Sequence, residues 1–230
     1  MQNKSSVRVL VFKGFPGVGK TTLSRAVAKR LTAPRFDKDD FKDVLYGANI
    51  LPEERCNELS KQLLNHLVAE QVQLGVPFIV VDAPFRLRAD LEALLVAIRG
   101  KLRPASSALP TSSDDHPRLV EVRLVNCRLR DEVEWKRRIE HRASEMTPAG
   151  GHRPRTWEAV QKLQQQAELF EEADGEFWLA ANKTNWGEYN PPGGIRILAH
   201  EMDMSSPALD VLLGWCGSSA MTQVNAPPCE

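Results

Sequence analysis

The segment GFPGVGKT at residues 14–21 constrains the fold of this chain more than any other part of it. Its pattern, G-x-x-x-x-G-K-[ST], is that of a phosphate-binding loop. Such a loop works between a β-strand and the N-terminus of a helix, where backbone N–H groups and the helix dipole point at the phosphate. The apolar run VRVLVFK at residues 7–13 and the helical spacing of residues 21–31 supply these two elements. The context therefore favours a nucleotide-binding loop over a chance glycine-rich turn.

The residue types in the loop indicate what each of them does. Glycines let the backbone approach phosphate oxygens closely because they carry no Cβ. Lys20 is expected to neutralise the β- and γ-phosphates, and the Thr21 hydroxyl is expected to ligate Mg²⁺. The expected cofactors are therefore ATP and Mg²⁺. The predicted nucleotide contacts are Gly14, Pro16, Gly17, Val18, Gly19, Lys20, Thr21 and Thr22.

Strand-like and helix-like segments alternate along the rest of the chain. Further strands are predicted at residues 34–37, 76–82, 119–125 and 195–199. Further helices are predicted at residues 41–45, 53–74, 87–98, 130–144, 156–172 and 208–215. Residues 104–117 have the composition of a surface loop, and residues 174–194 are ambiguous. The alternation predicts an α/β fold with a doubly wound, mostly parallel sheet and flanking helices.

The length of 230 residues suits one domain of this class. Residues 1–216 are predicted to form it, with a helical lid at about residues 130–155, and residues 217–230 are predicted to be a disordered tail. No run approaches the roughly 18 apolar residues that span a bilayer, so no membrane association is expected. The four cysteines form no CxxC pair, which matches neither a zinc site nor a disulfide framework. Reduced thiols favour the cytoplasm, with the nucleus as the alternative.

The segment DKDDFK at residues 37–42 follows the first crossover and is rich in acids. A carboxylate at this place can orient or deprotonate an acceptor hydroxyl during phosphoryl transfer. Asp39 is the predicted base, and Asp37 and Asp40 are close alternatives because the sequence does not locate the strand end to one residue. The competing interpretation is that these acids only cap the following helix.

The apolar run VPFIVVD ends in Asp82, as a buried parallel strand with a Walker B acid would. Asp82 is expected to hold Mg²⁺ directly or through water, unless it only terminates the strand. Arg86 and Arg88 follow at the edge of the sheet where ligands of open α/β folds bind. They are predicted to contact an anionic acceptor, with two solvated surface arginines as the alternative.

The segment DEVEWKRRIEHRA predicts a helix with Arg138 and Arg142 on one face, four residues apart. The two arginines precede the Pro- and Gly-containing segment TPAGGHRP, and together they could close over the phosphates and stabilise the transition state. Glu134 lies four residues before Arg138, so an ordinary salt-bridged helix is the alternative.

The chain resembles the small P-loop kinases of the AAA_33 and zeta-toxin-like group, which includes polynucleotide 5′-hydroxyl kinases. The resemblance rests on four segments, namely the phosphate-binding loop, DKDDFK, the apolar strand that ends in Asp82, and the helix containing RRIEHR. The resemblance spans roughly residues 7–160 and implies ATP-dependent phosphorylation of a hydroxyl. It places the acceptor-activating aspartate at Asp39, a basic contact to acceptor or phosphate at Lys42, and the lid arginines at Arg138 and Arg142. Polynucleotide kinases have arginine at the place of Lys42, and an ammonium group does not offer the planar fork of a guanidinium.

The sequence leaves the acceptor open between a small molecule and a nucleic-acid end. Thirty basic residues balance thirty acidic ones, which argues against a long nucleic-acid groove. A single phosphate-rich end needs only a few cations, which Lys42, Arg86, Arg88 and Arg153 could supply. The oligomeric state is also open.

Two other functions compete with a kinase. The segment NKTN at residues 182–185 imitates the guanine-reading NKxD motif, but its final Asn offers one acceptor oxygen where Asp offers two, so a GTPase is disfavoured. A nucleotide-regulated binding protein, or an NTP hydrolase without a dedicated acceptor, is the remaining alternative. Trp157, Trp178 and Trp186, with the turn at residues 191–194, could form a partner surface, although tryptophans are more often core.

Overall fold

One mixed sheet with helices on both faces organises the molecule. The structure is a computed structural model that describes residues 6–49, 51–102, 119–145, 153–167, 187–189 and 195–204. In chain order its elements are β1 (Val7–Lys13), α1 (Lys20–Leu31), β2 (Arg35–Asp37), α2 (Lys38–Gly47), α3 (Glu53–Leu74), β3 (Phe78–Asp82), α4 (Arg88–Leu102), β4 (Val120–Arg128), α5 (Glu132–Glu145), α6 (Trp157–Gln165), β5 (Gly187–Tyr189) and β6 (Ile195–Asp203).

The strands are ordered β2-β3-β1-β4-β6-β5 across the sheet. β2, β3, β1, β4 and β6 run parallel, and β5 pairs antiparallel with the outer side of β6. β1 is therefore central, which explains its nearly continuous apolar sequence. The register places Asp82 opposite Phe12 of β1 and opposite Asp37 of β2. The carboxyl ends of these strands thus meet at the edge where the phosphate-binding loop begins.

Alternate residues of β1 enter two separate hydrophobic clusters, one on each face of the sheet. Val9 and Val11 pack in the cluster that includes residues of α3 and α4, such as Val68 and Leu94. Leu10 and Phe12 pack in the other cluster, with residues of α1, α5 and α6; Val27, Ile139 and Val160 are members. Burial on both faces confirms the predicted doubly wound α/β fold. None of the helices in the described part of the chain is both long and apolar enough to cross a membrane.

The predicted strands and helices that fall on described residues are present, with shifted boundaries. β3 begins after Pro77, whose lack of an N–H removes one bond of a strand ladder. β4 and β6 extend past their predicted ends because they pair with each other over nine consecutive positions, as far as Arg128 and Asp203. The ambiguous stretch contains β5. The predicted loop at 104–117, the helix at 208–215, the tail, the NKTN segment and the end of the helix predicted at 156–172 lie outside the described residues.

Leu10→Ala tests the role of the central strand. Leu10 is fully buried in β1, so we expect its truncation to lower the free energy of unfolding by about 3–5 kcal/mol. Leu74→Ala is the matched control, because 73% of the Leu74 side chain is exposed near the end of α3 and its loss should cost less than about 0.5 kcal/mol. Urea unfolding followed by circular dichroism measures both values, and equal costs would contradict the assigned core.

Candidate active site

The backbone of the phosphate-binding loop packs so closely against its neighbours that two of its glycines leave no room for a side chain. Gly14 and Gly17 have φ values of 151° and 84°. A Cβ on Gly14 would lie 2.6 Å from the backbone oxygen of Cys127 in β4, and a Cβ on Gly17 would lie 2.5 Å from Cδ1 of Ile139 in α5. The loop therefore runs between the sheet and α5, and its glycines are required by packing as well as by backbone conformation.

Aromatic side chains hold α5 and α6 against the loop. Nε1 of Trp135 in α5 donates a 2.8 Å hydrogen bond to the backbone oxygen of Pro16. The Trp135 ring packs edge-on against Trp157 of α6, with centroids 5.2 Å apart, and lies 6.2 Å from the ring of Phe15. A helical element therefore covers the loop, as the fold prediction states. Trp157 is buried in this cluster, which agrees with the core interpretation of that residue.

A cleft of about 1700 Å³ opens above the loop at the carboxyl ends of the strands. It brings together most of the predicted site residues. Those that line it are Gly14, Pro16, Gly17, Gly19, Lys20, Thr21, Thr22, Asp37, Asp39, Lys42, Arg86, Arg138 and Arg142. Val18 and Asp82 are buried below this surface instead.

The Asp82 carboxylate forms the floor of the site, with only 1% of its side chain exposed. Oδ1 lies 3.4 Å from Nζ of Lys20, and Oδ2 accepts a 2.8 Å hydrogen bond from the hydroxyl of Ser24. Ser24 is fully buried on α1. It follows Thr21 by three residues and so lies on the same face of the helix, a spacing that could have indicated its role from sequence.

The oxygen groups of this floor suit Mg²⁺. Thr21 and Asp82 provide hard oxygen ligands, and Asp37 lies beside Asp82 in the strand register. Within the described ranges there is no group of three or more His, Cys, Asp or Glu side chains that could enclose a metal by itself. Mg²⁺ usually keeps several waters and binds through one or two protein groups plus phosphate oxygens. The residues present therefore fit a metal ion that arrives with a nucleotide.

Arg35 of β2 is a site residue that the sequence analysis missed. Its Nη1 donates to Oδ2 of Asp37 at 2.9 Å and to Oδ2 of Asp82 at 3.4 Å. Burial raises the pKa of Asp37, and the negative charge of Asp82 raises it further, so the guanidinium holds two mutually repelling acids together. Arg35 and Asp37 are two residues apart on one face of a strand, which was the available signal.

The structure separates the roles of the three neighbouring aspartates. Asp37 caps α2, because its Oδ1 accepts a 2.8 Å hydrogen bond from the backbone N–H of Asp39. The capping interpretation thus applies to Asp37, which also lines the cleft. Asp40 does not line the cleft. It accepts a 2.9 Å hydrogen bond from Nη2 of Arg35, so the prediction that it contacts substrate finds no support in its position.

Asp39 lies in the cleft among cationic side chains. Nζ of Lys38 is 3.2 Å from its Oδ1, and the same ammonium donates a 2.9 Å hydrogen bond to Oδ1 of Asn57 in α3. Burial acts to raise the pKa of Asp39, but the charges of Lys38, Lys20 and Arg153 outweigh it and the pKa is lowered. Asp39 is therefore an ionised carboxylate within electrostatic range of the loop lysine.

The remaining predicted acceptor contacts divide between the cleft and the surface. Lys42 lines the cleft, with its buried Nζ donating to Oε1 of Glu53 at 2.9 Å. Arg86 also lines it. Arg88 does not, because it begins α4 and pairs with Glu92 on the exposed first turn, at 2.6 Å. The solvated-surface alternative therefore describes Arg88 and not Arg86.

The two arginines of α5 occupy different places. Nη1 of Arg138 lies 3.6 Å from the position of a Cβ on Gly19, above the loop, while its Nε donates to Glu134 at 2.8 Å. Hydrogen bonds from Arg137 and Arg138 lower the pKa of Glu134 to about 2. Arg138 is thus both salt-bridged along its helix and part of the cleft. Arg142 lies one turn further along, where its Nη2 donates to the backbone oxygen of Pro154 at 3.2 Å.

Comparisons with known proteins agree with this architecture. Residues 9–169 match the family AAA_33, described as an AAA domain. A search of curated protein sequences found no match. Among solved structures, a candidate kinase from Chloroflexus aurantiacus is 18% identical with a TM-score of 0.59, covering 92% of this chain and 97% of that one. A sugar kinase from Janibacter sp. is 14% identical with a TM-score of 0.48, covering 92% and 94%. The first of these structures shows a shared fold.

Gly14→Ala tests the packing of the loop. The added methyl meets a backbone oxygen of β4 and disfavours the observed φ, so we expect the free energy of unfolding to fall by about 2–4 kcal/mol. Gly47→Ala is the control, because a Cβ there meets nothing within 4 Å and should leave stability unchanged or raise it by up to about 1 kcal/mol. Urea unfolding of both variants is the measurement, and a stable Gly14→Ala protein would refute the packing described.

Trp135→Phe tests the hydrogen bond between α5 and the loop. Phenylalanine keeps an aromatic ring but leaves the Pro16 oxygen without its donor. We expect a loss of about 0.5–1.5 kcal/mol in unfolding free energy beyond that of Trp157→Phe, which is similarly buried in the same cluster. Thermal and urea unfolding of the two variants give the comparison. Equal losses would mean that the indole N–H contributes nothing.

Proposed function

The chain belongs to the AAA_33 family of AAA domains, and from that premise and the geometry of the cleft we propose that it is an ATP-dependent kinase that phosphorylates a hydroxyl group. One observation carries the proposal. An ionised carboxylate, Asp39, shares a cleft with Lys20 of the phosphate-binding loop and lies within its electrostatic range. A carboxylate in this position can accept the proton of an attacking hydroxyl group as that group is phosphorylated.

The donor half of the cleft suits a nucleoside triphosphate. The loop between β1 and α1 presents backbone N–H groups and the positive end of the α1 dipole to the β- and γ-phosphates. Lys20 reaches the same place, since its Nζ is held over the sheet edge by Asp82. Mg²⁺, when bound through Thr21 and Asp82, would neutralise part of the phosphate charge. Arg138 lies above Gly19 and adds positive charge at the loop.

The acceptor half suits a hydroxyl group placed against Asp39. In the proposed reaction the hydroxyl proton passes to a carboxylate oxygen of Asp39 as the hydroxyl oxygen bonds to the γ-phosphorus. The bond between that phosphorus and the β,γ-bridging oxygen breaks, and ADP leaves with the electron pair. Lys38 fixes Asp39 and is itself held by Asn57. Catalysis of this kind depends mainly on positioning and charge stabilisation, which the cleft supplies.

The test is transfer of labelled γ-phosphate from Mg·ATP to a broad panel of hydroxyl compounds. Asp39→Asn should lower acceptor-dependent transfer by about 10²–10⁴-fold while changing the Kd for ATP only slightly, because the base is removed and the phosphate site is kept. Lys20→Ala should weaken both nucleotide binding and transfer. Asp90→Asn is the matched control, since Asp90 on α4 pairs with Lys61 on α3 and neither residue lines the cleft.

The outcomes separate the proposed kinase from its alternatives. Phosphate release into water that no acceptor accelerates would replace the kinase by an NTP hydrolase. Nucleotide binding with neither transfer nor hydrolysis would indicate a nucleotide-regulated binding protein. If the Asp39→Asn variant transferred phosphate at the wild-type rate, the protein would still be a kinase, but Asp39 would not be its catalytic base.

A further inference from the structure

The described cleft lining has an excess of positive charge. Nine basic side chains line it against four acidic ones, in a chain whose net charge is zero. Part of this excess is compensated by acidic residues outside the lining, for example by Glu134, which pairs with Arg138. A bound triphosphate accounts for the basic groups at the loop, because Lys20 and Arg138 lie there. The basic groups of the lining that do not lie at the loop need a different explanation.

Arg142 and Arg153 are two neighbouring basic residues of the cleft whose charges are only partly compensated. Burial lowers the pKa of Arg142, and the positive charge of Arg153 lowers it further, so the two guanidinium groups repel each other inside the cleft. The Nε atoms of both side chains are buried without a hydrogen-bond partner in the described chain. Nη2 of Arg153 forms a 2.7 Å ion pair with Oδ2 of Asp43. Among described residues, Arg142 donates only to the neutral carbonyl oxygen of Pro154.

The position of this pair relative to Asp39 points to the acceptor. The charges of Arg142 and Asp39 attract each other, and Arg153 and Lys20 both act on Asp39. Asp39 therefore lies within range of the donor lysine and of the arginine pair. Arg138, by contrast, contacts the loop region around Gly19 and already has an acidic partner, Glu134. Arg138 therefore neighbours the loop, whereas Arg142 bonds Pro154 and Arg153 pairs with Asp43, one turn after Asp39 on α2.

We propose that Arg142 and Arg153 form an oxyanion-binding subsite, and that the hydroxyl acceptor is a compound that carries a phosphate, sulfate or carboxylate group. Two guanidinium groups with unsatisfied donors bind such an anion by charge-assisted, often bidentate hydrogen bonds. The anion would remove their mutual repulsion and place the hydroxyl beside Asp39. This inference rests on the proposed kinase activity and assigns Arg142 to the acceptor instead of to the donor phosphates.

The first experiment compares acceptors that differ only in an anionic group. Labelled phosphate transfer is measured for glycerol and glycerol 3-phosphate, ribose and ribose 5-phosphate, gluconamide and gluconate, and adenosine and adenosine 3′-phosphate. We expect at least one anionic member to exceed its neutral partner in kcat/KM by tenfold or more, roughly the effect of one charge-assisted hydrogen bond. The pairs also distinguish a nucleotide end from a sugar phosphate and from a carboxylate. Equal rates within every productive pair would overturn the proposal.

The second experiment uses the variants Arg142→Met and Arg153→Met, with Arg88→Met as a control of the same chemistry outside the cleft lining. Each cleft variant should raise KM for the anionic acceptor by about tenfold or more, leave the neutral acceptor unaffected, and keep the Kd for Mg·ATP within about twofold. Arg88→Met should match the wild type. A weaker Kd for Mg·ATP with an unchanged acceptor KM would assign Arg142 to the donor half and refute the subsite. Unfolding curves verify that each variant is folded.

A binding measurement separates failure of the subsite from failure of the kinase proposal. Protein saturated with Mg²⁺ and a non-hydrolysable ATP analogue is titrated with inorganic phosphate and with inorganic sulfate by calorimetry. Saturable binding of either anion that disappears in Arg142→Met and persists in Arg88→Met supports the subsite even if no acceptor is phosphorylated. Absence of such binding overturns the subsite, whether or not transfer to a neutral alcohol is found.

Discussion

The burial of the Asp82 carboxylate is the constraint on which the site depends. A carboxylate removed from water must be compensated by nearby hydrogen-bond donors and cations, or its burial costs several kcal/mol. Here three residues are its partners, namely Lys20 and Ser24 on α1 and Arg35 on β2. The helix that follows the phosphate-binding loop and the edge strand β2 therefore both contact one carboxylate at the end of β3.

Much of the fold could be predicted because its signals are local. β1 and β3 are continuous apolar runs, and the loop motif requires a strand before it and a helix after it. β5 and the extension of β4 were not predictable, since strand residues that owe their conformation to pairing with a distant segment carry no local pattern. The contact of Trp135 was missed for a related reason. Its partner, Pro16, lies 119 residues away in sequence.

The acidic segment after the first crossover shows how finely the site depends on one boundary. β2 ends at Asp37, so this residue caps α2, while Asp39 in the first helical turn enters the cleft and Asp40 turns to Arg35. A strand end moved by one residue would exchange these roles, because side chains alternate along a strand and advance by about 100° along a helix. The residue types predicted an acceptor site, and the boundary between β2 and α2 determines which of the acids line the cleft.

The hydrogen bond from Trp135 to the Pro16 carbonyl gives the molecule an internal optical reporter. The indole lies between the phosphate-binding loop and α6, with Phe15 on one side and Trp157 on another. Its emission depends on the polarity around the ring and on what its N–H contacts. Any displacement of α5 from the loop breaks that contact and admits water to the ring. A displacement of α5 from the loop would therefore change the emission of this indole, which is one of five in the chain.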